Sequence, residues 1–172
     1  MAEPKLLIAR DEIRRKVEEL AERLRGDYER KRPLMIGVLT GAFVFLADLV
    51  REMGIPVEIA FVKVESYGDK TESSREPRMV LDFPYSVEGR DVLIVEDIVD
   101  TGHTVKFLVE HFKKRGAASV KVCTLLNKPA RREVDVHLDY VGFDIPNVFV
   151  VGYGLDAAGR WRELPEVRYI EE

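Results

Sequence analysis

The stretch 91–104, DVLIVEDIVDTGHT, runs from aliphatic residues into three carboxylates and ends in a turn of small residues. The first half has the composition of a buried strand. The acids Glu96, Asp97 and Asp100 suit cations and sugar hydroxyls. Thr101, Gly102, His103 and Thr104 then offer successive backbone amides and two hydroxyls where a helix begins, and a helix N-terminus favours anions. A capped helix with acids in its first turn would account for Asp100 alone. It would not call for Glu96 and Asp97, since adjacent carboxylates at a strand end are costly without a partner. One ligand carrying both hydroxyls and phosphate satisfies both halves.

The chain around this block alternates helical and strand periodicity. Ile13, Val17, Leu20, Ala21 and Leu24 lie at helical spacing, predicting a helix over 11–25 that Gly26 would stop. PLMIGVLTG (33–41) reads as a buried strand and turn, and AFVFLADLVREMG (42–54) as a helix closed by Gly54. A strand over 56–66 precedes YGDKTESSREPR (67–78), a polar stretch without periodicity whose length suits a functional loop. Strands are predicted at 79–83 and 91–96, then a helix over 103–115 from Val105, Leu108, Val109 and Phe112, ended by Gly116. SVKVCTLLN, DYVGF and VFVVGYG complete the series of strands. This alternation predicts an α/β fold with a mostly parallel twisted sheet flanked by helices, in a single domain over 1–172. Ligands on such sheets bind at the carboxyl ends of strands, here after Leu39, Val95, Leu126 and Val151.

Composition narrows the function. The 172 residues carry 27 basic and 31 acidic side chains, a net charge of −4, which disfavours non-specific nucleic-acid binding. A hydrophobic share of 46% beside 34% charged residues is that of a globular chain. The lone cysteine, Cys123, excludes an internal disulfide and any multi-cysteine metal site, and its apolar setting reads as core. No stretch reads as a signal peptide or membrane span, so the expected setting is the cytoplasm, away from membranes. There is no G-x-x-x-x-G-K-[ST]. Gly152, Gly154 and Ala157 match G-x-G-x-x-A, but too little chain follows for a dinucleotide-binding unit, so that match is chance or has another purpose.

VLIVEDIVDTGHT closely resembles the phosphoribosyl-pyrophosphate motif of the type I phosphoribosyltransferases. VLTGAFVF, SYGDKTESS, LLNKPARR, VGFDIPNVFVVGYGLD and RWREL resemble, in order, further segments of the hypoxanthine-guanine branch. The resemblance implies transfer of ribose 5-phosphate from phosphoribosyl pyrophosphate to N9 of a 6-oxopurine, with Mg²⁺, in a homodimer or homotetramer. It also implies a small hood built from chain-terminal segments, about 155–172 at the C-terminal end, and a lid over about 66–78.

By the same resemblance, Glu96 and Asp97 would hold the ribose hydroxyls, directly or through Mg²⁺, and Asp100 would act as general base at purine N7. Thr101, Gly102, His103 and Thr104 would cradle the 5′-phosphate, His103 through its backbone amide. Leu39, Thr40 and Gly41 would meet pyrophosphate, with a cis peptide joining Leu39 and Thr40, and Arg162 would add a cation. Thr40 stands where a lysine is common in the family. Lys128 would donate to the purine 6-oxo group, Phe149 would stack on the ring, and Val150 would meet the base edge through its backbone. Asp156 would flank the purine and hold a second Mg²⁺. Ser66 and Tyr67 would close with the lid, which also brings Arg75 and Arg78.

Two alternatives stay open at the level of sequence. The same enzyme could prefer xanthine. A regulator could use this fold to sense phosphoribosyl pyrophosphate, although the chain keeps Asp100 and Lys128 and has no appended basic element.

Overall fold

The structure is a computed structural model that describes residues 2–67 and 76–171. In chain order the elements are β1 (Lys5–Ile8), α1 (Arg10–Tyr28), β2 (Leu34–Leu39), α2 (Phe43–Met53), β3 (Glu58–Tyr67), β4 (Glu76–Leu81), β5 (Asp91–Val99), α3 (His103–Lys114), β6 (Ser119–Asn127), β7 (Tyr140–Asp144), β8 (Phe149–Val151) and β9 (Val167–Ile170). Six strands form a sheet in the order β4-β3-β2-β5-β6-β7. All its pairings are parallel except the β3–β4 pair at the edge. Strands β1, β9 and β8 form a separate antiparallel sheet of both chain ends.

Strand alternation divides the core between the two sheet faces. Met35, Leu93, Cys123 and Leu125 pack under α1 and α2 with Leu20, Leu24, Phe45 and Leu49. Ile36, Val92, Ile94 and Val122 face the other way, against Leu108 and Phe112 of α3. Parallel strands covered on both faces read as continuous apolar runs, which is why MIGVL and VLIV look the way they do. Cys123 is fully buried, as its setting predicts. Among the described residues no helix is long and apolar enough to cross a membrane.

Four expectations need correction. First, α1 continues through Gly26 to Tyr28. Gly26 faces open space, while Leu24 and Tyr28 on the buried side keep the helix engaged. Arg25 reinforces this by donating from Nε to the Met53 carbonyl (2.8 Å) and from Nη2 to that of Glu52 (2.6 Å), at the end of α2. Second, β4 spans Glu76–Leu81, not 79–83, and includes Glu76, Pro77 and Arg78, expected in the loop. Pro77 pairs with Ser66 on an edge strand, a place that tolerates the missing amide. Of the expected lid over about 66–78, Ser66 and Tyr67 lie in β3 and 76–78 in β4, and the intervening 68–75, with Arg75, lie outside the described residues. Third, VFVV joins the small sheet as β8, and its partner β9 and β1 are strands that the periodicity did not reveal. Fourth, β5 runs past the acids to Val99, because β6 offers it a ladder as far as Asn127.

Candidate active site

The extension of β5 to Val99 carries the acids beyond the end of β2. On its β2 side, β5 is paired only from Val92 to Val95. Beyond that point β2 turns away into the Leu39–Gly41 loop, where the peptide bond between Leu39 and Thr40 is cis. Gly41 lies directly against Asp97: an ideal Cβ at Gly41 would sit 1.8 Å from Asp97 Oδ2. Glu96 is buried and Asp97 half-buried. Burial, then the neighbouring Asp97, holds the Glu96 carboxyl well above the usual carboxylate range. Burial raises Asp97 as well, but its hydrogen bonds with Glu96 and the Ile98 amide and the charge of Arg162 pull the other way. Both carboxyls are thus held above their ordinary range by burial, which disfavours the charged form.

The hood approaches the same loop. Gly154 adopts φ 97°, and an ideal Cβ there would meet the Gly41 carbonyl at 2.4 Å. The G-x-G of Gly152 and Gly154 thus serves close backbone packing, since Gly152 in turn lies against the Glu166 carbonyl. Between the two glycines, Tyr153 donates its hydroxyl to Asp48 Oδ2 of α2 at 2.5 Å. Arg162 donates from Nη1 to the Gly154 carbonyl (2.6 Å), and its Nη2 lies 3.2 Å from Asp156 Oδ1. Asp156 also accepts from the Gly159 amide at 2.9 Å. Asp97 of β5, Gly41 after β2, and Asp156 with Arg162 of the hood therefore come together from three segments.

On the other flank, register brings Asp100 beside Lys128. Val99 of β5 pairs with Asn127 of β6, so the residues that follow leave the sheet side by side. The Lys128 amide donates to the Val99 carbonyl at 2.9 Å. Lys128 is buried, not a solvated surface lysine. Burial lowers its pKa, with Asp100 opposing and Arg131 assisting that shift. Thr101 to Thr104 turn into α3, with Gly102 as the residue before the helix. The His103 ring is occupied with Glu133 Oε1 at 3.3 Å.

The remaining residues are less tightly gathered. Phe149 is half-exposed on edge strand β8, so it is not plain core, while Val150 beside it is buried. Ser66, exposed near the end of β3, is separated from β5 by β2. A cleft of about 720 Å³ between α1, α2 and the segment 153–165 shares only Arg162 with these residues. The cleft holds none of Glu96, Asp97, Asp100 or Lys128, so the chemistry is placed at the strand ends.

Parallel strands thus deliver acids, a turn into a helix and a lysine to one edge of the sheet, and residues 9–158 match the phosphoribosyl transferase domain. The chain belongs to the phosphoribosyltransferase family. Its curated relatives in that family include the hypoxanthine-guanine phosphoribosyltransferase of Bacillus subtilis, 50% identical over 163 residues, covering 95% of this chain and 91% of the relative. The enzyme of the same name from Streptococcus pyogenes is 46% identical over 168 residues, covering 98% and 93%. A crystal structure of a hypoxanthine-guanine phosphoribosyltransferase from Bacillus anthracis, with HEPES in its active site, superposes with a TM-score of 0.93 at 42% identity, covering 98% of this chain and all of that one. The phosphoribosyltransferase fold thus accounts for the sheet, the helices and the hood of terminal segments. Sequence reading passed over Tyr153, Arg131 and Arg132, whose partners lie far away along the chain or around a turn.

Proposed function

We propose that this chain transfers the 5-phosphoribosyl group from phosphoribosyl pyrophosphate to N9 of hypoxanthine or guanine, forming IMP or GMP and releasing pyrophosphate. The relatives support the substrates. The juxtaposition of Asp100 with buried Lys128, beside the Glu96–Asp97 pair, carries the residue-level reading. As N9 bonds to C1′, the bond from C1′ to pyrophosphate breaks and the pyrophosphate takes the electron pair. Asp100 accepts the N7 proton, and Lys128 donates to O6 as negative charge grows there, so its contribution is larger in the transition state than in the bound substrate. Phe149 stacks on the ring, and the Val150 backbone meets its edge.

The Leu39–Gly41 backbone and Arg162 receive the leaving pyrophosphate, whose growing charge calls for fixed donors. Thr101 to Thr104 hold the 5′-phosphate. Ser66 and Tyr67 belong to the lid of this reading, which would exclude water from the cationic ribose. Among the described residues no three His, Cys, Asp or Glu form a ready-made cation cage. Two adjacent hard-oxygen donors at Glu96 and Asp97 nonetheless fit Mg²⁺, which commonly takes one or two carboxylates and completes its shell with water and substrate phosphates. Asp156 is the candidate donor for a second ion. Bound Mg²⁺ would neutralise phosphate charge and favour the ionised form of both carboxyls.

A homodimer or homotetramer in the cytoplasm completes the reading. Ile59 and Phe61 of β3 and Leu81 of the edge strand β4 stay exposed, the kind of apolar surface that association covers. Light scattering on the purified chain reads the number of copies.

The deciding test is a spectrophotometric assay with phosphoribosyl pyrophosphate and each of hypoxanthine, guanine, xanthine and adenine. Turnover of the first two, abolished by chelating Mg²⁺, is the expected result. Turnover of xanthine alone would change the substrate, and no turnover of any base would sink the assignment.

Lys128 adds a pH dependence. Its folded pKa lies below that of free lysine, so on raising pH the cation is lost earlier than an exposed lysine would lose it. Lys128→Arg keeps its charge throughout. The fall of kcat/KM on the alkaline side should therefore begin at higher pH in the variant than in the wild type, even at lower absolute activity. Superimposable alkaline limbs would remove Lys128 charge from the rate.

A further inference from the structure

The segment that follows β6 is fastened to the loop that follows β5 at Lys128 and over residues 131–134. The Thr101 carbonyl accepts from the amides of Glu133 (3.0 Å) and Val134 (3.3 Å). Arg132 Nε donates to the Asp100 carbonyl at 3.3 Å, and its guanidinium also reaches Asn127 Oδ1. Arg131 Nε donates to Asp100 Oδ1 at 3.1 Å. A short 3-10 turn, Pro129–Arg131, sets the place of Arg131, with its amide donating to the Lys128 carbonyl at 3.1 Å. The same turn therefore carries both Lys128 and the partner of Asp100.

The Arg131–Asp100 pair is part-exposed, with side chains 46% and 40% accessible. Such a pair contributes little to stability. Its geometry is more informative. The contact engages one carboxylate oxygen, Oδ1, and leaves Oδ2 as the oxygen available to a ligand. A reacting base oriented by a third group is a recurring arrangement in catalysis.

We infer that Arg131 is a positioning residue for proton removal from the purine: it holds Asp100 through Oδ1 so that Oδ2 takes the N7 proton as the N9–C1′ bond forms and pyrophosphate departs. The inference rests on the proposed function above. Arg131 touches no reacting atom; it acts through Asp100. Because Arg132 secures the backbone of Asp100 while Arg131 secures its side chain, losing Arg131 frees the carboxylate without dismantling the phosphate loop.

The test is a kinetic double-mutant cycle on the full chain, with hypoxanthine as acceptor. Arg131→Ala should lower kcat about 10–100-fold, the scale of a misplaced reacting group, and leave the KM for phosphoribosyl pyrophosphate within about twofold. Arg131→Lys, which can supply the single donor, should recover most of the loss. In an Asp100→Asn background, Arg131→Ala should change kcat less than about twofold, because the group it acts through is already disabled. An unimpaired Arg131→Ala, or a loss of equal size in the Asp100→Asn background, overturns the inference while leaving wild-type turnover and the function intact. A wild type that turns over neither hypoxanthine nor guanine overturns the function, and the inference with it.

Discussion

Asp100→Asn is expected to lower kcat for hypoxanthine and guanine about 10²–10³-fold while the KM for phosphoribosyl pyrophosphate stays within about twofold. The magnitude is that of a positioned general base. The substitution is nearly isosteric, and an asparagine oxygen can still accept from Arg131 Nε, now 3.1 Å from Oδ1. What changes is the other atom. An amide nitrogen there donates and cannot accept, so it confronts the N7–H of the purine with a second donor. The backbone of Asp100 remains held by Arg132, and the Thr101 carbonyl remains bound by Glu133 and Val134. The phosphate cradle should therefore survive, which is why the split between kcat and KM is diagnostic. If Asp100 served only to shape the loop, KM for phosphoribosyl pyrophosphate would rise and kcat at saturation would be spared. That pattern, from initial rates at varied concentrations of both substrates, would remove Asp100 as the base.

How far these roles were readable in advance depended on the distance over which each is specified. Glu96, Asp97 and Asp100 sit within five residues of one another, so a local pattern of strand, acids and turn carried them. The same holds for α2, whose apolar spacing and closing Gly54 are both local, and Gly54 does take the left-handed conformation. The failures were tertiary. β1 and β9 have four residues each, too short for periodicity to register, and they pair across nearly the full length of the chain. Pro77 looked like loop because its composition does not reveal that its strand lies on an edge. Gly26 looked like a stop because nothing local reports that Tyr28 beyond it is buried.

The site shows the same division. Gly152 and Gly154 formed a recognisable pattern whose obvious meaning was excluded, yet their purpose depended on which carbonyls approach them, Glu166 and Gly41, and the sequence does not announce that. Lys128 was legible as a cation after a strand, but its burial, the main cause of its reduced pKa, is a tertiary property that no local pattern reports. Arg131 is one of a pair of adjacent arginines. Only the β5–β6 register, which carries Asp100 and the 128–134 segment off the sheet together, separates the one that meets the carboxylate side chain from the one that meets the backbone.

The second large effect is expected at Gly41. Gly41→Ala places a methyl carbon 1.8 Å from Asp97 Oδ2 and 2.9 Å from Asp97 Cγ, so one of the two must move. Asp97 is poorly placed to yield. Its Oδ1 accepts from the Ile98 amide at 2.7 Å, and Glu96 crowds its own side. The loop is no freer, because the Gly41 carbonyl lies against Gly154 in the hood, where Arg162 is bound to the Gly154 carbonyl. Either displacement separates the acid pair from the backbone amides assigned to pyrophosphate. Losing a fixed donor to developing charge costs about 10²–10³-fold, and that is the expected fall in kcat/KM for phosphoribosyl pyrophosphate. Overpacking at such a site should also cost about 1–3 kcal/mol of stability. Gly26→Ala is the matched control: its Cβ meets nothing within 4 Å in the last turn of α1, so it should stabilise the chain by up to about 1 kcal/mol and leave turnover unchanged. Kinetics and thermal melts on both variants separate the two readings. A Gly41→Ala enzyme that is less stable but has normal kcat/KM would show that the loop yields harmlessly, and would take the pyrophosphate site away from it.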